Sequence, residues 1–462
     1  MRDRPRSIQV LIAVALPLVV LSIDFSGVAV ALPEIGDELH ASSASVGWVL
    51  NAFALGAAGP LLVSGRIADR YGRRLLLLVG VGLFAVGTLI ASIAPTFVVL
   101  VAARVVQGVA TSLFMPASLS VVSTTFSGDR RAWGIGMWSA IGSTAAAAAP
   151  VVGGLVVDAL GWRWFFALNV PLLVIAGALI AAVVPESTGD RSRIDVRGAV
   201  LATASVTAVV YGLQEAGQLG WTDPLVLGSL VLGVVLFGLF MLEQRRGVAL
   251  IDRAIAVSRD YRPPVAVAFL ANWGFGAMNI LMTFWLQDVR GLSAATTGVV
   301  FLAYSVPFAV LGAKTGAISD RFGTRLPMAL GMVLVAGSFG MLATVGRTSS
   351  LALVVVGMLL SGIGQGLAYN MATAAAMAAV PDETAGVASG LLTALRNVGV
   401  AAGVAIATIA TATSSADVPG SGFTAGLRQA SLIVVVVSLL GGVIALRAAT
   451  GRPVSATVSD AA

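Results

Sequence analysis

Long apolar runs separated by short polar segments dominate the pattern of hydrophobic and polar positions along this chain. Fourteen of these runs have about 20 residues each, enough to cross ~30 Å of hydrocarbon as α-helices. The first extends from about Gln9 to Leu32 and the last from about Gln429 to Leu446. The pattern predicts an all-α integral membrane protein with both termini on one side. Because the first run is too long for a signal peptide and lacks a cleavage pattern, we expect it to be retained.

Composition narrows the function classes. Of the 462 residues, 58% are hydrophobic and 11% are charged, whereas soluble domains carry about 25% charged residues. This composition excludes a soluble globular protein. The chain has no cysteine and one histidine, His40, which excludes disulfide scaffolds, thiolate metal sites and most Ser-His triads. We therefore expect no enzyme, no metal site and no cofactor.

The distribution of basic residues predicts the orientation. Most of the 28 Lys and Arg residues fall at one set of loops and ends, and the opposite loops hold only Arg163, Arg290, Arg347 and Arg428. By the positive-inside rule the Arg-rich side, with both termini, is cytoplasmic. The net charge of +6 then marks a membrane face, and we expect no nucleic-acid partner.

An internal repeat predicts two related halves. Gly65–Arg74 recurs 251 positions later as Gly316–Arg325, with Gly, Asp, Arg, Gly and Arg in register. The first six runs are too short to fill this offset, so two further helices, Gly198–Ala216 and Pro224–Leu242, are expected between the halves. The prediction is a six-helix bundle over residues 1–190, a two-helix insertion over 191–258, a second six-helix bundle over 259–448 and a cytoplasmic tail over 449–462. Parallel repeats of this kind are typical of transporters with a midplane substrate site.

Several segments resemble a known family. The Gly65–Arg74 segment resembles the loop signature of the major facilitator superfamily, and others resemble its fourteen-span drug:proton antiporter branch: Asp24–Pro33, Arg104–Gly108, Gly136–Gly154, Trp162–Phe166, Asn169 and Pro171. The resemblance implies the major facilitator fold and a proton-coupled antiporter that exports drug-like or antibiotic-like compounds. We expect a monomer in the cytoplasmic membrane whose partners are a small-molecule substrate, protons and lipid.

Two charges inside the spans are candidates for proton coupling. Among the acidic residues, Asp24 is the only one that we place well inside a span. A carboxylate at that depth is costly unless it faces a cavity or a partner. Counted from the outer ends of their spans, Asp24 and Arg104 lie at matching depths of ~13 and ~12 Å. A change in their separation or hydration would load or unload a proton, the role that the resemblance also implies. The alternative is a static pair that fixes the packing of spans 1 and 4.

The repeat serves as a control on this hypothesis. The positions in the second half that correspond to Asp24 and Arg104 are Phe275 and Gly362. Neither charge is therefore repeated, whereas the loop signature is. This asymmetry favours a functional role for the pair in the first half.

The two loop signatures are interpreted as gating elements at the cytoplasmic ends of the helices. Their aspartates need a compensating Arg or helix N-terminus, and Arg130 and Arg131 are further candidates for such contacts. The alternative is that these arginines only set orientation and contact anionic lipid. The predicted gating residues are Gly65, Asp69, Arg70, Gly72, Arg73, Arg74, Gly316, Asp320, Arg321, Gly323 and Arg325.

Span 5 carries the residues that match the family's antiporter signature: Gly136, Pro150, Gly153 and Gly154. Ala145 and Ala149 stand where that signature has glycine. Small residues persist at both positions, so we expect close helix packing that limits leak in the outward state. The alternative is an ordinary small-residue helix interface.

Polar and aromatic residues of the spans are candidates for the substrate pocket, although side chains of these types also pack in helix bundles. Arg396, in span 13, is a further candidate, with structural pairing as its alternative role. The predicted pocket residues are Phe25, Asn51, Gln107, Met115, Asn272, Trp273, Asn279, Tyr304, Tyr369, Asn370 and Arg396. Two other functions stay open: a proton-coupled symporter or facilitator for a small organic solute, and a non-transporting membrane sensor.

Overall fold

The computed structural model describes residues 4–42, 45–126, 130–186, 195–246, 258–380, 385–412 and 421–448, and within these ranges the chain is helical with no strand. The helices are α1 (Arg4–Glu38), α2 (Trp48–Tyr71), α3 (Arg73–Ser92), α4 (Phe97–Thr125), α5 (Arg130–Leu160), α6 (Trp162–Ala167), α7 (Asn169–Val183), α8 (Val196–Leu219), α9 (Pro224–Arg246), α10 (Arg262–Phe284), α11 (Ala294–Ala313), α12 (Thr315–Phe322), α13 (Arg325–Leu342), α14 (Leu351–Ala378), α15 (Ala385–Ala412) and α16 (Ser421–Leu446). A π-helical turn, Trp285–Val289, continues α10.

Most of these helices are long and apolar enough to cross a bilayer. In the described part of the chain, thirteen helical segments meet that condition, with α6 and α7 together forming one of them, Trp162–Val183. The run predicted as span 2 forms α2, a helix of 24 residues, of which Trp48–Ala57 counts as a shorter apolar helix. The chain is a multi-pass membrane protein whose described residues contain helices and no strand.

The chain divides into two compact units. The first comprises Met1–Leu250 and Met282–Leu302, and the second comprises Ile251–Leu281 and Ala303–Ala462. In the first unit, α4 packs against α2 and α3, and α1 packs against α5. Small residues allow the backbones to touch: a Cβ atom on Gly108 would lie 2.2 Å from the carbonyl oxygen of Phe53. Because lipid provides no hydrophobic driving force for association between helices, close packing of this kind stabilises the contact.

The second unit is built by the same kind of contact. Helix α13 packs extensively against α14 and α16. A Cβ atom on Gly403 would lie 2.1 Å from the carbonyl oxygen of Trp273, and one on Gly362 would lie 2.2 Å from that of Tyr304. Methionines fill part of its core, with Met332 and Met371 fully buried. Flexible Met side chains adapt to irregular gaps between helices.

The two helices predicted between the repeats are α8 and α9, and both lie in the first unit. They pack against each other, and α8 also packs against α2. The Asp195 carboxylate caps α8 by accepting from Gly198 N at 2.8 Å and accepts from Gln244 Nε2 of α9 at 3.1 Å. A groove of about 1040 Å³ with apolar walls opens between α2, α8 and α9, and it holds none of the predicted site residues.

Candidate functional site

Asp24 of α1 and Arg104 of α4 form a fully buried ion pair, in which Arg104 Nη1 donates to Asp24 Oδ2. Arg104 Nε donates to the carbonyl oxygen of Val49 in α2 at 2.9 Å. The structure thus brings together the two charges that the sequence placed at equal depth. Their role in proton coupling stays a prediction.

Gln107 connects this pair to a third helix. Its Oε1 accepts from Arg104 Nη1 at 2.9 Å, and its Nε2 donates to Asp24 Oδ1 at 3.2 Å and to Thr88 Oγ1 at 2.8 Å. Thr88 donates in turn to the carbonyl oxygen of Phe84 in α3 at 2.7 Å. Both carboxylate oxygens therefore accept hydrogen bonds, and side chains of α1, α3 and α4 form one network. The Gln107 amide thus bonds to the charge pair, and its contact with substrate stays a prediction.

Aromatic rings surround the guanidinium of this network. The Cζ atom of Arg104 lies 4.6 Å from the ring centre of Phe53 and 5.8 Å from that of Phe166. Arg104 Nη2 is buried and has no hydrogen-bond partner among the described residues. Because water is excluded, breaking such a pair by removing one partner costs about 3–5 kcal/mol. A change of charge at Asp24 therefore has large consequences for the contact between α1 and α4.

The two loop signatures adopt matching backbone turns. Gly72 separates α2 from α3 with φ 102°, and Gly323 separates α12 from α13 with φ 67°. Positive φ values of this kind are readily adopted only by glycine. The arginines before them also match, since Arg70 stacks on the ring of Tyr71 at 5.5 Å and Arg321 on that of Phe322 at 5.2 Å.

Other predicted gating residues are only partly described. Arg74 donates to the carbonyl oxygen of Ala181 in α7 at 2.5 Å. Asp320 is exposed and has no ion-pair partner in the part of the chain that the structure describes. Arg73 and Arg325 are partly buried, and Gly316 has open space beside it. The side chains of Asp69, Arg130 and Arg131, and the surroundings of Gly65, lie outside the described residues.

The predicted antiporter helix α5 makes backbone contacts along one face. A Cβ atom on Gly153 would lie 2.9 Å from the carbonyl oxygen of Gly27 in α1, and one on Gly154 would lie 2.3 Å from that of Ala294, where α11 begins. A Cβ atom on Gly298 of α11 would lie 2.1 Å from the carbonyl oxygen of Pro150. Three of the four signature residues therefore lie where helices touch. Gly136 has nothing within 4 Å of such an atom.

Two predicted pocket residues of the first unit pack among hydrophobic side chains. Phe25 lies 5.5 Å from Phe53, measured between ring centres. Met115 packs against the hydrophobic core. Both are partly buried. The contact of Phe25 and Met115 with substrate stays a prediction.

Asn51, the remaining pocket candidate of the first unit, attaches the central insertion to α2. It is fully buried, and its Nδ2 donates to Gln214 Oε1 of α8 at 2.7 Å. One turn earlier, Trp48 Nε1 donates to Glu215 Oε1 at 3.0 Å. The Nδ2 donor of Asn51 thus takes part in a hydrogen bond between α2 and α8.

In the second unit, Arg396 lies beside Tyr369 with its Cζ atom 4.0 Å from the ring centre, and it donates through Nη2 to Thr373 Oγ1. The predicted asparagines bond within their own helices instead. Asn272, Asn279 and Asn370 each donate to the carbonyl oxygen four residues earlier, at 2.7, 2.8 and 2.7 Å. Tyr304 is buried, and Trp273 is partly buried.

Comparison with known proteins decides the family. The sequence matches the profile of the Major Facilitator Superfamily over residues 14–251 and 260–461. The chain belongs to the major facilitator superfamily. Its structure matches a solved peptide transporter POT in complex with sulfate, with a TM-score of 0.71 and 16% identity over 96% of both chains. The predicted fold is confirmed at the level of the superfamily.

Relatives of this superfamily member are resistance proteins. The chain is 35% identical over 399 residues to the multidrug resistance protein Stp of Mycobacterium tuberculosis, covering 86% of this chain and 74% of that protein. It is 31% identical over 418 residues to the tetracenomycin C resistance and export protein of Streptomyces glaucescens, covering 90% of this chain and 78% of that protein. The family and its relatives are transporters.

Sequence reasoning missed one further site of this superfamily member. The carboxylate of Asp158, at the end of α5, accepts from the backbone N–H groups of Ala294 and Ala295 at 2.9 and 3.0 Å and so caps α11. Gln287 Nε2 donates to the carbonyl oxygen of Val30 in α1 at 2.9 Å. The sequence feature that could have indicated this cap is Asp158 itself, an acidic residue shortly after the Gly136–Gly154 segment. Within the described residues, no group of three or more His, Asp or Glu side chains is placed to hold a metal ion.

Proposed function

We propose that this protein is a proton-coupled antiporter that exports drug-like or antibiotic-like organic compounds across the cytoplasmic membrane by alternating access. The observation that carries the proposal is the buried network around Asp24 and Arg104. The names of two relatives, a multidrug resistance protein and a tetracenomycin C resistance and export protein, support export as the direction of transport.

Asp24 is the proton-carrying group in this cycle. A proton from the outside binds its carboxylate, which removes the negative charge and ends the ion pair with Arg104. Gln107 then has a neutral carboxyl group as its neighbour. Once the transporter opens to the cytoplasm, the proton leaves Asp24 and the ion pair forms again. Because the pair joins α1 to α4, each change of charge alters the contact between these helices.

The outer ends of α1, α5 and α11 supply a barrier in the same cycle. The contacts of Gly153 with α1 and of Gly154 with α11 involve backbone atoms, and the Asp158 carboxylate adds a polar contact. Release of substrate to the outside requires these helices to separate, and their close packing limits leakage at other times.

The proposed topology has fourteen spans in a 6 + 2 + 6 arrangement with both termini cytoplasmic. Thirteen apolar helices and the 24-residue α2 are consistent with that number. Helices α8 and α9 form the central pair. The excess of Arg on one set of loops sets the orientation.

Everted membrane vesicles test the function directly, because their outer surface is the cytoplasmic face. We expect vesicles that contain the protein to accumulate tetracenomycin C when the lumen is acidic, and to lose it when nigericin removes the pH gradient. Asp24→Asn should abolish accumulation, and Asp24→Glu should retain part of it. Asp260→Asn, which removes an exposed carboxylate outside the spans, is the matched control.

Three results would contradict the proposal. Accumulation that is unaffected by nigericin indicates a facilitator. Movement of substrate in the same direction as protons indicates a symporter. Undiminished gradient-driven accumulation by Asp24→Asn removes the assigned role from this residue.

A further inference from the structure

Arg396 of α15 is a buried cation without a carboxylate partner among the described residues. Its side chain is 8% exposed, and its Nε atom is buried with no hydrogen-bond partner among the described residues. In that part of the chain the ion pairs are Asp24 with Arg104 and Glu38 with Arg163. Arg396 lies eleven residues after the start of α15 at Ala385, or ~16 Å along the helix. A buried charge at such a depth marks a functional site.

The neighbours of Arg396 that the structure describes are uncharged groups. Nη2 donates to the Oγ1 atom of Thr373, whose own hydroxyl donates to the carbonyl oxygen of Tyr369 at 2.7 Å. The guanidinium otherwise faces the Tyr369 ring at 4.0 Å. Arg104, by contrast, has a carboxylate, an amide oxygen and a carbonyl oxygen as acceptors. A guanidinium has five N–H donors in a planar fork that matches a carboxylate.

A row of aromatic rings extends from Arg396 through the second unit. Successive ring centres are 5.6 Å apart from Tyr369 to Phe308, 6.4 Å from Phe308 to Tyr304 and 6.2 Å from Tyr304 to Phe275. The Tyr304 hydroxyl is buried and has no partner within the described ranges. The row therefore places four aromatic rings and the Tyr304 hydroxyl in line with the cation. Ring faces of this kind stack with flat aromatic ligands.

We propose that Arg396 binds an acidic oxygen of the exported compound while the aromatic row contacts its rings. The inference rests on the proposed export function and specifies its substrate class: flat aromatic compounds that carry a carboxylate or phenolate. The ligand supplies the counter-charge that the described residues do not. The neutral Thr373 hydroxyl accepts from Nη2 beside Tyr369, and Nε has no hydrogen-bond partner among the described residues.

Two probes with the same rings test the inference: 2-anthracenecarboxylate and 2-anthracenecarboxamide. Binding to the purified full-length protein is measured by quenching of their fluorescence. We expect the carboxylate to bind about tenfold more tightly than the amide, since a charge-assisted bidentate contact is lost with the amide. Arg396→Gln should remove this preference, and Arg396→Lys should retain part of it. Arg428→Gln, at an exposed arginine of α16, is the matched control.

Variants of the row separate ring contact from charge. Tyr369→Leu should weaken binding of both probes by a similar factor, because the rings of both lose the same contact. Gel filtration of each variant shows whether it is folded. The preference of the unmodified protein for the carboxylate decides the inference even where a variant does not fold.

Three outcomes would overturn the inference. One is equal binding of the two probes by the unmodified protein. Another is an equal loss for both probes in a folded Arg396→Gln variant, which indicates a packing role. The third is proton-driven accumulation of ethidium in everted vesicles without any accumulation of the carboxylate. That last result contradicts the proposed substrate class but not the export function. Tight binding of the carboxylate without transport of any compound would instead contradict the export function.

Discussion

Arg104 of α4 donates a hydrogen bond to the carboxylate of Asp24 in α1, and neither side chain has any exposed surface. The pair lies in membrane-spanning helices and is enclosed by Phe53 and Phe166. Removing a charge from one partner therefore leaves the other without compensation in an apolar environment. In the proposed transport cycle, protonation of Asp24 therefore changes the packing of α1 against α4.

Gln107→Leu should destabilise the protein and impair coupling. The substitution removes a donor to both Asp24 and Thr88 and an acceptor for Arg104. Because these groups are buried and each loses one of its hydrogen bonds, we expect a loss of about 1–3 kcal/mol in the free energy of unfolding. Thermal unfolding of the purified protein measures it. An unchanged melting temperature would show that the network does not stabilise the fold.

Gly154→Ala should disrupt the contact between α5 and α11. The added methyl group would lie 2.3 Å from the carbonyl oxygen of Ala294, so the helices must move apart. We expect a lower melting temperature and leakage of protons through liposomes that contain the variant. The control is Gly177→Ala in α7, where nothing lies within 4 Å and alanine favours the helix by about 1 kcal/mol. Equal behaviour of the two variants would contradict the proposed barrier.

Gly72→Ala and Gly323→Ala should have similar effects, because both glycines have positive φ. A non-glycine residue in sparsely populated backbone regions costs about 1–3 kcal/mol. Each variant should lower the melting temperature. Gly340→Ala in α13, where φ is not positive and nothing lies within 4 Å, should not. Transport assays then show whether the two copies of the signature are also equivalent in function.

Asn51 and Gln214 should be energetically coupled. Their hydrogen bond, 2.7 Å long, is buried between α2 and α8. A double-mutant cycle with Asn51→Ala and Gln214→Ala should give a coupling energy of about 1 kcal/mol in unfolding experiments. Strictly additive effects would show that this bond does not hold the central helices to α2.

The sequence predicted a chain of many long apolar helices because each span must supply an apolar segment of fixed length. It also predicted that Asp24 and Arg104 could pair, since residue count gives depth along a helix. Depth does not define which neighbour a side chain faces. The contact of Asn51 with α8 was therefore not predicted, and the Asp158 cap was missed because its partner is 136 residues away in the chain.

Proton release on substrate binding tests the central claim most directly. Tetracenomycin C is added to the purified protein in unbuffered solution that contains a pH indicator, and binding is followed separately. The account predicts that the unmodified protein releases protons when it binds substrate, because the exchanged proton leaves Asp24. Asp24→Asn should bind substrate and release none. Equal proton release by the two proteins would contradict the assignment of the exchanged proton to Asp24.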